Sequence, residues 1–402
     1  MVNKFFSSRV LPVLVTAALA SSAFVTAANA QQSIKIGVPT SLSGPFSSLG
    51  NEAKRAVEFA ATEANAKGGI MGRKIEVKVL DTETKPEGAR KQAEKLALDG
   101  YKILTGTITS GEGLAMGPML ERWDALYMIT INKADALTGE ACVPRMFRVN
   151  RPDYADAAAV KPWLTTRKEK KWAIIAADMA WGRNSAQSFN AATKATGREV
   201  VAEHYPAVGT NDYAPFIQQL KGSGAEGLWV ALAGRDGITF AQQAKQFGLF
   251  DKVFTAGVSF ATSDNVAKAL GEVAKGLWGI INYSSTLDTP GNNAFVAAWK
   301  KAYNGDEPTN FEGETYVGMQ VILQAIAKAK SDKPADLVKA MEGGTFDTVN
   351  GRLTMRAEDH QLAAPNHFGY VGEQGGKIRS IIAMSVPAAE ATPPQDKCKM
   401  PK

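Results

Sequence analysis

The chain reads as an α/β protein built from two doubly wound parallel-sheet lobes joined by a multi-strand hinge, and three observations predict it. Short β-branched runs alternate with Ala-rich amphipathic stretches from residue 33 onward, a rhythm that sets a parallel sheet between layers of helices. The rhythm runs to Asn150 and then starts again. Removing a leader of thirty residues from 402 leaves 372, too many for one ordinary hydrophobic core.

The leader comes first. Lys4 and Arg9 form a basic head, residues 10–20 are apolar apart from Pro12 and Thr16, and Ala28, Asn29 and Ala30 have the small-x-small form of a cleavage site. This is the pattern of a secretory signal cut after Ala30. A membrane anchor needs about 20 unbroken apolar residues, and Ser21 and Ser22 interrupt the run. No cysteine follows the cut to carry a lipid, so the released chain is expected to be soluble.

In the first lobe, strands are expected at 33–38, 75–79, 103–107 and 127–131, and helices at 51–65, 87–98 and 111–123. Gly68 and Gly69 stop the first helix, and Ile75, Val77 and Val79 alternate with charged residues as a half-buried strand does. In the second lobe, helices at 153–164, 182–195, 213–221 and 238–247 alternate with strands at 172–176, 199–205, 227–231 and 253–256. A crossing strand at 277–284 precedes helices at 294–303 and 314–330, which have no strands of their own nearby and so complete the first lobe. The expected division is 1–30 signal, 31–149 with 284–350 as lobe 1, 150–283 with 351–390 as lobe 2, and 391–402 as tail. A chain that crosses between lobes more than once makes a hinge, with its cleft as the site.

The net charge of +6 falls to +4 without the two leader cations, with acids and bases interspersed. The one dense basic cluster, KEKK at 168–171, reads as a solvated loop, and nucleic-acid binding would need a whole basic face. An enzyme is disfavoured. His204, His360 and His367 are scattered, and no nucleophile elbow, zinc-protease motif or phosphate loop is present. The spacing of Cys142 and Cys398 excludes a zinc ribbon or a redox pair. In an oxidising compartment they can pair and tie the Pro-rich tail to the body, or stand as two unrelated thiols.

Residues 34–86, IKIGVPTSLSGPFSSLGNEAKRAVEFAATEANAKGGIMGRKIEVKVLDTETKP, resemble the opening of the leucine/isoleucine/valine-binding family. These are the periplasmic receptors of branched-chain amino acid-type ABC importers. The likeness rests on Ser43, Gly44 and Pro45, on Gly50, on the NAKGG turn at 65–69 and on Asp81. It continues through 106–110, 128–130, Phe147 and Arg148, Trp181 and Gly182, and Gly276 and Leu277, and covers nearly all of 33–385. The resemblance implies a type I periplasmic binding protein fold, a small-molecule ligand, and permease and ATPase subunits as partners. It implies a monomer with no cofactor, no metal and no nucleic acid.

Ser110 matches the family's carboxylate-holding serine. It stands with Thr109 where a polar turn opens a helix, a place suited to an anion through free N–H groups and partial positive charge. The plain alternative for Ser110 is a helix cap. Phe46, Leu49, Trp181 and Phe311 fall at the family's pocket-lining positions. The family's ammonium-holding glutamate and threonine fall on Val258 and Ala134, and a tyrosine on Ala233 or Gly234. Burying an unpaired ammonium costs several kcal/mol, so the ligand is expected to be a carboxylate without an α-amino group, aromatic or hydrophobic acids first. Asn132, Lys133, Arg235 and Asp236 are candidate polar partners, although Arg235 and Asp236 also read as a surface ion pair. If Asp135 or Asp178 supplies the missing anion, an amino acid ligand returns. A sensor feeding a membrane receptor is the remaining reading.

Overall fold

The structure, a computed structural model, describes residues 1–5 and 32–400. The leader's apolar run and the expected cut after Ala30 lie outside the described residues. Residues from Ser33 onward form one compact body.

The first lobe opens with β1 (Ile34–Thr40), α1 (Ser47–Ala66), β2 (Ile75–Asp81), α2 (Pro86–Leu98), β3 (Ile103–Thr105), α3 (Ser110–Met116), β4 (Leu126–Ile129) and β5 (Met146–Arg148). These five strands make an all-parallel sheet in the order β2-β1-β3-β4-β5. β1, flanked on both sides, is buried at all but Lys35, whereas β2 on the edge is only partly covered. Pro86 at the first turn of α2 needs no hydrogen-bond acceptor there, and Glu87 complements the helix's positive end.

The second lobe follows with α4 (Asp153–Thr166), β6 (Lys171–Ala176), α5 (Ala180–Ala195), β7 (Glu199–His204), α6 (Ala214–Gly222), β8 (Gly227–Ala231), α7 (Gly234–Gln246), β9 (Phe254–Gly257), α8 (Asp264–Leu270) and β10 (Trp278–Ile281). The chain then returns to the first lobe for α9 (Pro290–Ala302), α10 (Asn310–Ala329) and α11 (Pro334–Met341), followed by the small sheet β11 (Thr345–Thr348), β12 (Gly351–Met355) and β13 (Leu362–Ala363). It ends with β14 (Asn366–Gln374), β15 (Lys377–Val386) and the single turn α12 (Ala388–Ala391). The second sheet has the order β15-β14-β10-β9-β8-β6-β7.

Three departures from the expected layout have physical causes. The second sheet is not wholly parallel: β14 and β15 form an antiparallel hairpin on its edge, turned by Gly375 and Gly376 at φ +61° and +71°. The expected lobe boundary at 350 is too early. Leu353, Met355 and Leu362 are buried with Ile36, Phe295 and Tyr316 in the first lobe's core, so the second lobe resumes only at β14. The helix expected at 111–123 stops at Met116 and gives way to a 3-10 turn (Gly117–Met119), because Pro118 cannot extend the α-helical hydrogen-bond ladder.

The chain therefore passes between lobes three times, after β5, after β10 and after β13. The tail adds a fourth link. It leaves β15 in the second sheet, Pro393 O accepts from Arg356 at 2.7 Å, and Cys398 is bonded to Cys142, 256 residues earlier in the first lobe. A cross-link over so long a loop removes much of the unfolded chain's freedom, so Cys398→Ser is expected to lower stability by about 2–4 kcal/mol. Guanidinium unfolding of the oxidised protein and the variant, compared with the reduced protein, measures it.

Candidate functional site

Every parallel strand ends at the same edge of its sheet, where the chain turns into the next helix, and in both lobes that edge faces the cleft. The residues at these turns line a cavity: Phe46 and Leu49 after β1, Ile108, Thr109 and Ser110 after β3, Ile131 and Lys133 after β4, and Phe311 at the start of α10. From the second lobe come Met179 and Trp181 after β6, Ala233 after β8 and Ser259 after β9. The walls leave a cavity of only about 30 Å³ between them. The lobes stand nearly shut. Arg235 N donates to Pro45 O at 3.2 Å, Asp135 N donates to Asn184 Oδ1 at 2.7 Å, and Asn310 N donates to Asp264 Oδ2 at 2.7 Å, each across the cleft. Gly234 permits this approach: at φ +55°, a side chain there would meet Pro45 O at 2.8 Å.

Ser110 organises the first-lobe wall. Its Oγ accepts from Lys133 N at 3.2 Å and Ala134 N at 3.0 Å, which ties the turn after β3 to the turn after β4. Both acceptor positions are thereby used, and the hydroxyl proton remains to be donated. The helix tip is less open than the sequence implies. Glu112 closes a capping box with Thr109, and its carboxylate accepts from Ile108 N at 3.0 Å and Thr109 N at 2.6 Å. Burial raises the Glu112 pKa, against the pull of Thr82, Thr109 and Ile108. The N–H groups of Ser110 and Gly111, in the first turn, have no partner within the helix, and no other hydrogen bond among the described residues uses them.

Eight of the residues singled out in the sequence come together at the cavity: Phe46, Leu49, Thr109, Ser110, Lys133, Trp181, Ala233 and Phe311. Five others do not line it. Asn132 is buried behind the wall, accepting from Thr107 at 2.9 Å and donating to Thr109 O at 2.6 Å. Ala134 offers its N–H to Ser110. Val258 is fully buried and continues the sheet through its N–H to Val230 O. Arg235 is exposed outside the cavity, and Asp236 accepts from Gly209 N at 2.8 Å, with no ion pair between the two among the described residues.

Asp135 is bound by Tyr154 N at 2.8 Å and Asn184 at 3.2 Å, and Asp178 pairs with Arg183 at 2.8 Å; neither reaches the cavity. The lining thus carries no carboxylate. Sequence reasoning missed Ile131 because its strand was drawn too long: β4 ends at Ile129, which frees Ile131 to turn inward. It also missed Ser259, held at φ +51° one residue beyond Val258.

Behind the cavity, Lys133 Nζ is fixed by Asp156 at 3.1 Å, Arg151 O at 2.8 Å and Asn282 Oδ1 at 3.3 Å. Glu314 lies in the same buried network, with one carboxylate oxygen unpartnered. Burial pushes its pKa up to about 7, against the pull of Lys133 and Arg151. A carboxyl raised on folding contributes full stability below its unfolded value, and that contribution disappears as pH climbs through the folded one. Glu314→Gln is therefore expected to match or trail the wild type at pH 4.5 and to gain on it by pH 8. Urea midpoints at the two pH values test this; an equal difference at both would show that the ionisation carries no cost.

Two facing α/β lobes, three chain crossings and a polar-tipped apolar cavity between them define a hinged receptor for a small solute. The chain belongs to the periplasmic binding protein family, whose model matches residues 33–377. It is 28% identical over 343 residues to a Leu/Ile/Val-binding protein homolog of Brucella abortus, a match spanning 82% of this chain and 85% of that one. Among solved structures it resembles an ABC transporter solute-binding protein of Rhodopseudomonas palustris BisB5 in complex with 3,4-dihydroxybenzoic acid, at TM-score 0.82 and 22% identity, over 89% of this chain and 98% of that one. An ABC-type branched-chain amino acid transporter protein of R. palustris CGA009 superposes at TM-score 0.71 and 24% identity, over 91% and 100%. The protein is a periplasmic solute-binding protein, not an enzyme.

Proposed function

We propose that the ligand is an aromatic or hydrophobic carboxylate without an α-amino group, bound by hinge closure and handed to the importer as the closed form. The observation that carries this reading is the cavity lining. Hydroxyls, unused amides and one lysine stem stand against eight apolar or aromatic side chains, with no carboxylate to neutralise an ammonium. The anion is met by the Ser110 hydroxyl proton and by the N–H groups of Ser110 and Gly111, and the fixed Lys133 charge sits behind them. Trp181, Ala233 and Ser259 close over the other end. Ligand favours the shut lobes because only there do both walls touch it. The aromatic acid held by the R. palustris relative supports the same chemistry.

The mature chain begins after Ala30 and acts as a monomer in this reading. Amino acid binding is the alternative, favoured by the names of the Brucella relatives. Equilibrium dialysis or calorimetry with benzoate, cinnamate, leucine and valine separates the two. Benzoate-like acids are expected to bind and the amino acids to fail; binding of leucine with none of the acids would reverse the assignment. Ser110→Ala is expected to weaken the acid by about 1–2 kcal/mol, since a donor to a charged acceptor is lost.

A further inference from the structure

We propose that Trp181 reads a second polar group on the ligand, so that the solute is an aryl acid carrying a hydrogen-bonding substituent such as a ring hydroxyl away from its carboxylate. This rests on the aryl-acid reading above and narrows it. Trp181 sits in the first turn of α5, is only 7% exposed, and forms part of the second-lobe wall. Its single polar atom, Nε1, is buried and has no hydrogen-bond partner.

Other tryptophans of the protein pair theirs: Trp229 with Ser185 at 3.3 Å, Trp172 with Glu169 O at 3.4 Å, and Trp123 with Glu94 at 3.3 Å. Trp299 also lacks a partner, but it is packed in the first-lobe core against Phe59 and Phe295. Trp181 alone combines an orphaned N–H with a place in the cavity wall. A buried donor without an acceptor is a standing cost to the fold. At a binding wall, a ligand that brings the acceptor removes that cost.

Ser259 completes the recognition. It lines the same cavity from the same lobe, its backbone is held at φ +51°, and its hydroxyl makes no hydrogen bond among the described residues. The other second-lobe lining residues, Met179 and Ala233, bring no polar side-chain hydrogen to compete. A ring hydroxyl can accept from Trp181 Nε1–H and donate to Ser259 Oγ, satisfying both. A methyl group of the same size can do neither. The first-lobe polar groups, Ser110, Thr109 and Lys133, stand on the opposite wall, so one ring spans an anion end and a hydroxyl end.

The test is calorimetry of the full mature protein with 3- and 4-hydroxybenzoate and their methyl isosteres, 3- and 4-methylbenzoate. In the wild type, at least one hydroxy acid is expected to bind about tenfold tighter than its isostere, as one satisfied buried donor implies. Trp181→Phe removes the N–H and should erase that ratio, whatever the change in the wall does to the affinity for the methyl isostere. Ser259→Ala, a smaller change, should lower the same ratio without abolishing it. A wild type with no hydroxyl preference, or a Trp181→Phe protein that loses both acids by one common factor, overturns the proposal and leaves the aryl-acid reading intact. A wild type that binds none of the four acids overturns both.

Discussion

A parallel strand can hand its chain on at only one edge of a sheet, and that constraint places everything else. In each lobe the turns that follow the strands crowd onto one rim, and the helices that begin there point their positive ends the same way. Two such rims facing each other make a site from segments as distant in sequence as Phe46 and Phe311. The edge additions do not disturb it. β14 and β15 extend the second sheet on the side away from β7, and β11 to β13 form a separate small sheet in the first lobe.

The site accepts an anion without presenting a bare cation. Lys133 is the one basic residue in the lining, and its ammonium is already committed to Asp156 and two oxygen acceptors. Glu112, one turn into α3, spends two amides of its own helix tip on a cap. The donors that remain are neutral and few, and they are fixed by the loops that Ser110 joins. Selectivity then follows from which polar atoms lack partners rather than from net charge, since any ligand must satisfy those atoms or leave them buried and unpaired.

Much of this was legible in the residues. Periodicity located the central strands, because apolar runs such as the one at 227–231 are buried on both faces and read as continuous apolar stretches. The family likeness brought Ser110, Phe46, Leu49, Trp181 and Phe311 forward, and all five line the cavity. Boundaries were harder. Ile131 read as strand interior because apolar residues run through it without a break, and only the hydrogen-bond ladder shows the strand ending two residues earlier. Val258 enters through the family's glutamate position, whereas Ser259 beside it lines the cavity on a left-handed backbone that leaves no trace in composition. Arg235 looked like a site residue from its place beside a strand end, yet the turn of α7 carries its side chain outward. Glu112 was visible as the third residue after Thr109, the spacing of a capping box, and that signal could have warned that two amides were already taken.

The bond between Cys142 and Cys398 carries a consequence for how the molecule is made. The second cysteine follows every strand of both sheets in chain order, so the loop the bond closes holds the whole of the second sheet and much of the first lobe. The seat of the tail, where Arg356 donates to Pro393 O, brings the two sulfurs together across the lobes. With only two thiols available, no shuffled pairing within the chain exists to be repaired.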